Sequence, residues 1–270
     1  MKSNTKHEPA YRRRNSELAP PKPSYDDETR AQMIALADAA APLWAGEAEI
    51  TRTYFEKTRT GEGDLFWLSA QAFKETRHLR DLPEELQQEY WSTGAIADHP
   101  HGAGAARILE EEMKHYGLLA ALISQLTGAA VDPTTLRGLE EDRKLQAMRN
   151  EYRVSGEEVV LAAVTFTEGG GGSMYSVLKA LAGNDFDRDI AAAFQEIHTD
   201  EVIHGPMQIH RIAKAASGAE DWERVRDIAV AICRQRLHMR NEMFGRPLPA
   251  ERLDDIAEGR IDPWPIPIDL

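Results

Sequence analysis

The chain has 270 residues, 42% hydrophobic and 29% charged, with a formal net charge of −13; that is one large domain or two small ones, with enough chain for a real hydrophobic core. A single cysteine, Cys233, excludes an intramolecular disulfide framework and a thiolate-rich zinc or iron–sulfur site, so a bound metal must rest on His and carboxylate. The acidic balance disfavours nucleic acid as a partner. No stretch approaches the roughly 18 apolar residues of a membrane span, and the expectation is a cytoplasmic protein that contacts neither membrane nor nucleic acid.

Residues 1–25 carry Lys2, Lys6, Arg12, Arg13, Arg14 and the prolines Pro20, Pro21 and Pro23 with almost nothing large and apolar, which predicts a disordered tail. From Asp26 onward Ala, Leu, Glu, Arg and Gln dominate and no segment alternates apolar and polar residues for long, so the fold class is all-α. The acidic start Asp26-Asp27-Glu28 opens a helix to about Ala41, which Pro42 interrupts before a second piece reaches about Arg59. Gly61-Glu62-Gly63 separates the next helix, Asp64 to about Leu82, stopped by Pro83. A short helix (Glu84 to Trp91), a strong one (about Gly102 to Leu126) and another short one (Thr134 to Gln146) follow. A long helix from about Ser155 to Leu181 meets the turn Gly183-Asn184-Asp185, and its partner runs from about Phe186 to Ala216, perturbed at Gly205-Pro206. A final amphipathic helix spans about Asp221 to Met243 and offers a face for a homodimer; residues 246–270 are read as an extended C-terminal tail, which makes 26–245 the folded domain.

Three of the nine histidines have Glu three residues earlier: Glu75-x-x-His78, Glu112-x-x-His115 and Glu201-x-x-His204. That spacing puts both side chains on one helix face, close enough to share a metal ion. Ligands on two antiparallel helices joined by a turn must lie about equally far from it. Glu168 lies 15 residues before Gly183 and Glu201 lies 17 after Asn184, about 23 to 26 Å of helix each, so the two carboxylates meet at one height. The same operation takes Glu112 to Glu75 through Thr93-Gly94. Glu56 has polar same-face neighbours and reads as solvated, whereas Glu47, among Leu43, Trp44, Ile50 and Tyr54, stays a rival to Glu75.

One Glu from each of two helices and one Glu-x-x-His from each of two others is the ligand pattern of carboxylate di-metal bundles. Residues 64 to about 216 thus resemble the ferritin-like di-iron carboxylate superfamily, in its oxygenase and oxidase branch, with Glu75, Glu112, His115, Glu168, Glu201 and His204 matching its six ligands in order. The resemblance implies a ferritin-like four-helix bundle with additional N- and C-terminal helices. Glu111 and Asp200, four residues before the two histidines, are placed to accept the second imidazole N–H. The donor set suits two iron ions, with manganese or a mixed pair left open.

Thr167-Glu168-Gly169-Gly170-Gly171-Gly172-Ser173 needs a reason, because each interior helical Gly costs about 1 kcal/mol relative to Ala. Close helix packing is one. Room beside the metals for O2 and a small organic substrate is the other. Glu201-Val202-Ile203-His204-Gly205 and Met207 to Ile212 are similar to the catalytic subunits of multicomponent oxygenases that epoxidise aromatic acyl-CoA thioesters, which implies an electron-donor protein. The expected function is an O2-dependent di-iron monooxygenase or oxidase; a ferritin-like storage or detoxification protein and a di-manganese catalase are the alternatives. Tyr175, His78, His198 and His210 are candidates for the site's margin, each more simply core or surface, and Arg234, Arg236 and Arg240 read as a solvated face.

Overall fold

The computed structural model describes residues 24–96, 102–201 and 204–268, except for the side chains of 103, 104 and 204. Every regular element among them is helical, as the absence of alternation predicts, and no described helix is long and apolar enough to cross a membrane. The expected N-terminal tail falls almost wholly outside the described residues.

Helix α1 (Asp27–Thr53) starts where the Asp26 carboxylate accepts the Thr29 N–H at 2.7 Å, an N-cap with Asp27 and Glu28 in the positive first turn. Pro42 lies inside this helix and does not interrupt it. Burial of Leu36, Ala40, Leu43, Trp44 and Ile50 outweighs the roughly 3 kcal/mol that an internal proline costs. The Ala41 carbonyl beside it accepts a hydrogen bond from the Trp264 N–H at 3.1 Å. A single π turn, Tyr54–Thr58, ends the run.

Helix α2 (Gly61–Glu75) is capped by Thr60 and followed by the one-turn α3 (Arg77–Arg80) and by α4 (Glu84–Thr93), where a continuous helix to about residue 82 is predicted; Thr76, in the bridge between them, ends α2 at the candidate ligand itself. Helices α5 (Ala103–Thr127) and α6 (Glu140–Arg153) follow. The long helix expected over 155–181 is instead two, α7 (Glu158–Phe166) and α8 (Gly170–Leu178), joined by the 3₁₀ turn Thr167–Gly169 that carries Glu168. Its partner is described over α9 (Asp185–Glu201) and α10 (His204–Ala215), on either side of residues 202–203, which lie outside the described residues. Helix α11 (Ala219–Met243) precedes α12 (Ala250–Ala257). The tail expected to be wholly extended therefore contains a helix, because Leu253 and Ile256 bury against the core; beyond it the chain is irregular and Trp264, Ile266 and Ile268 pack on the core.

Helix α1 lies against α8 and α11, α2 against α5, α9 against α5 and α8, and α10 against α7. An aromatic cluster locks these layers, with the Trp67 ring centroid 5.5 Å from Phe244 and 5.8 Å from Phe194. Buried Asp64 accepts from Tyr54 Oη (3.0 Å), Trp67 Nε1 (3.1 Å) and Arg59 Nε (2.9 Å), and Arg59 also reaches Asp187 at 2.5 Å. That bridge fixes the start of α2 to the start of α9, and so sets the relative height of Glu75 and Glu201 further along the two helices.

Candidate metal centre

Glu75, Glu112, Glu168 and Glu201 line one pocket, from α2, α5, the 3₁₀ turn and α9 respectively. Glu75, Glu112 and His115 each offer a ligand atom within 4.8 Å of the others'. His115 is fully buried. Its Nε2 is 3.2 Å from Asp200 Oδ2, an acceptor for an Nε2–H, so that the neutral ring held this way presents its lone pair on Nδ1. Nδ1 has no hydrogen-bond partner; it points between Glu75 Oε2 at 3.7 Å and Glu201 Oε1 at 3.9 Å. A buried, unsatisfied imidazole nitrogen facing carboxylates is the arrangement a metal completes.

Electrostatics among the described residues agree. Burial, then the Glu75 charge and hydrogen bond, then Glu201 and Glu168, push the Glu112 carboxyl up to about 11. Glu75 moves the other way: burial opposes ionisation, but Glu112, His115 and Lys74 together hold its carboxyl below the usual range. The two share one proton across the neutral range. Burial pulls the His115 imidazole down, and the Glu75, Asp200 and Glu201 carboxylates more than restore it, so it lies above its ordinary value. Lys74, beside them, is pushed down to about 7 by burial first and then by Arg240.

Other expectations are corrected. Asp200 serves His115 on the neighbouring helix; Glu111, assigned to His115, points instead to Arg107 at 3.6 Å. An i−4 carboxylate on a straight helix does not reach a ring that is turned toward the next helix. His204 opens α10, and its side chain lies outside the described residues. Glu47 is settled: Arg236 Nε and Nη2 reach its two oxygens at 2.8 and 3.0 Å and Arg240 Nε reaches one at 3.0 Å, which leaves no oxygen for a metal. Arg236 and Arg240 are thus buried and line the pocket rather than forming a solvated face, while Arg234 is exposed and caps the Ala257 carbonyl.

The glycine run divides. A Cβ on Gly169 would meet the Trp44 ring at 2.3 Å, one on Gly170 would meet Glu47 Oε1 at 2.3 Å, and one on Gly205 of α10 would meet the Gly169 backbone at 2.2 Å. Those three glycines serve close packing. Gly171 alone of the run lines the pocket, against Tyr175. Tyr175 is buried on the same wall, and burial lifts its phenol well above the ordinary value. His78 stands at the pocket's margin, Nε2 3.8 Å from Glu112. His198 and His210 line no part of it; His198 contacts Lys179 and Ser176, and His210 stacks on Tyr25.

Sequence reasoning passed over Gln71, Lys74 and Arg149, all of which line the pocket. Gln71 donates to Glu75. Arg149 shares a buried face with Asp142 and Leu145; an Arg in the inward register of an otherwise polar helix was the available signal. No protein-family model, curated protein or solved structure matches this chain.

Proposed function

We propose that the chain is an O2-activating non-haem di-iron oxygenase or oxidase, acting on a small organic substrate held beside a carboxylate-bridged di-metal centre. The observation that carries this reading is the convergence of Glu75, Glu112, Glu168 and Glu201 on one pocket next to the unpartnered Nδ1 of His115. Glu75 is buried and the Glu112 carboxyl is pushed up beside it, so ionising both together takes compensating positive charge. Oxygen and imidazole donors without thiolate suit iron or manganese, and Glu75, Glu112, Glu168, Glu201 and His115 would hold the ions, with His204 as the expected sixth donor. When bound, such a centre supplies the activation of O2.

The chain's own residues do the rest. Asp200 holds His115 in the tautomer that presents Nδ1. Gln71 orients Glu75. Arg149 and Arg153 stand 3.7 and 4.0 Å from Glu168 Oε1 and steer that carboxylate at the open side of the pocket. Gly171 keeps the wall beside Tyr175 free of a side chain, which leaves room for substrate. Oxygenation of an organic substrate draws two electrons from a separate reductant, so an electron-donor protein belongs to the proposal.

Metal analysis followed by anaerobic ferrous titration and exposure to O2 tests it. The expected result is about two iron ions per chain, new near-ultraviolet and visible absorption after O2, and loss of both in Glu112→Ala and Glu201→Ala. A folded wild-type chain that takes up no metal, or variants that bind it unchanged, would overturn the reading.

A further inference from the structure

Five basic side chains line the same pocket: Lys74, Arg77, Arg149, Arg236 and Arg240. Three are hydrogen-bonded to buried carboxylates, Arg236 and Arg240 to the single Glu47 and Arg77 to Asp142 at 2.8 Å. Arg149 is not. It is only 5% exposed, yet its guanidinium makes one hydrogen bond, from Nη2 to Thr167 Oγ1 at 3.2 Å; Nη1 is 3.7 Å from Glu168, beyond hydrogen-bond reach, and the buried Nε has no partner. A guanidinium stays protonated in proteins. An unmet buried N–H on a charged group is costly, and Arg149 is one of the residues that line the pocket.

The charge balance gives the missing partner a sign. With Glu168 given to a metal, Arg149 would be the pocket guanidinium that no buried carboxylate holds by a hydrogen bond among the described residues. A planar guanidinium can match a carboxylate in two parallel hydrogen bonds, and of the Arg149 nitrogens Nη2 alone makes a hydrogen bond among the described residues. We propose that Arg149, supported by Lys74, seats the carboxylate of a small organic acid beside the metal centre, and that the substrate is such an acid. This deepens the function proposed above and rests on it for the identity of the ligand as substrate.

The test is calorimetric titration of the anaerobic ferrous protein with formate, acetate and benzoate, with benzamide and benzyl alcohol as neutral counterparts, and with iron counted on the same samples. Binding of at least one carboxylate is expected, with its neutral counterpart binding at least tenfold more weakly. Arg149→Gln should weaken that carboxylate by roughly 10- to 100-fold while keeping its iron; Arg149→Lys, which retains the charge and loses the fork, should fall between. Circular dichroism confirms that both variants fold, and Lys74→Gln, weakened at least severalfold, provides the reading if neither does. No carboxylate binding, equal binding of the neutral compounds, or Arg149→Gln binding as the wild type would overturn the proposal. An iron-free chain defeats the oxygenase reading alone. The same titrations then decide the carboxylate seat by the same criteria, and loss of both metal and carboxylate binding overturns both.

Discussion

Glu47 shows how far a single side chain can be assigned from its partners. It is 1% exposed, and its carboxyl falls to about 2: burial pushes it up most strongly, and Arg236 and then Arg240, by charge and by hydrogen bond, overcome that. A carboxyl depressed in the folded state contributes stability that is fully present above its unfolded value near pH 4.5 and is lost as pH falls toward 2. Glu47→Gln keeps the shape and leaves two buried guanidinium groups without a counter-charge, a loss of about 3 to 5 kcal/mol. Urea unfolding should show a lower midpoint with unchanged slope, and between pH 5 and about pH 3 the variant should lose less stability than the wild type. A midpoint within error of wild type would mean that the ion triad is not coupled to folding. In the sequence Glu47 and Glu75 were indistinguishable, both acidic residues on apolar helix faces. Only the arrival of Arg236 and Arg240 from 189 and 193 residues away separates a paired glutamate from a candidate ligand, and no local pattern carries that information.

At the scale of elements, helical periodicity and the turn signals at Gly61-Glu62-Gly63 and Gly183-Asn184 located most helices to within a few residues, because those signals are local. The errors lie where long-range packing overrides them. Pro42 sits in α1 without breaking it, and Glu168 occupies a 3₁₀ turn within what reads as one long helix. The turn is explained by the crossing of α10 over it: Gly205 and Gly169 meet backbone to backbone, so α10 approaches as closely as two chains without Cβ atoms allow. Gly172 meets nothing within 4 Å and lies in the first turn of α8. The two glycines should therefore respond in opposite directions. Gly205→Ala forces the backbones apart and should cost about 1 to 3 kcal/mol, with reduced metal uptake because Glu168 moves with the turn. Gly172→Ala should gain about 0.4 to 1 kcal/mol through the unfolded chain and helix propensity. Denaturation midpoints of the two variants decide it, and destabilisation by both would mean that α8 needs glycine for a reason other than this crossing.

For the whole molecule, the pocket is a stability cost that, under the proposed function, a metal would convert into a gain. Spacing alone brought Glu75, Glu112, Glu168 and Glu201 together, since antiparallel helices of known rise leave little freedom in height; it could not give the cost, which depends on how deeply the groups are buried. The raised Glu112 carboxyl and the raised His115 imidazole both favour the protonated state in the folded chain. For each, stability is greatest below the unfolded value and declines as pH rises toward the folded one, so the metal-free protein weakens across the neutral and alkaline range. The Glu75 contribution, from a depressed carboxyl, is already complete above about pH 4.5 and adds no slope there. Under the proposed function, metal ligation would take Glu112 deprotonated and His115 neutral and release those protons. The gain in Tm from saturating manganous or anaerobic ferrous ion should then be larger at about pH 8.5 than at about pH 6, and should rise with ion concentration. Glu112→Gln, which mimics the protonated carboxyl, should flatten the pH slope of the metal-free protein and remove most of the gain. A wild-type gain that shrinks as pH rises would show that the proton shared by Glu75 and Glu112 is not displaced by the metal, and the pocket would have to bind its ions outside that pair.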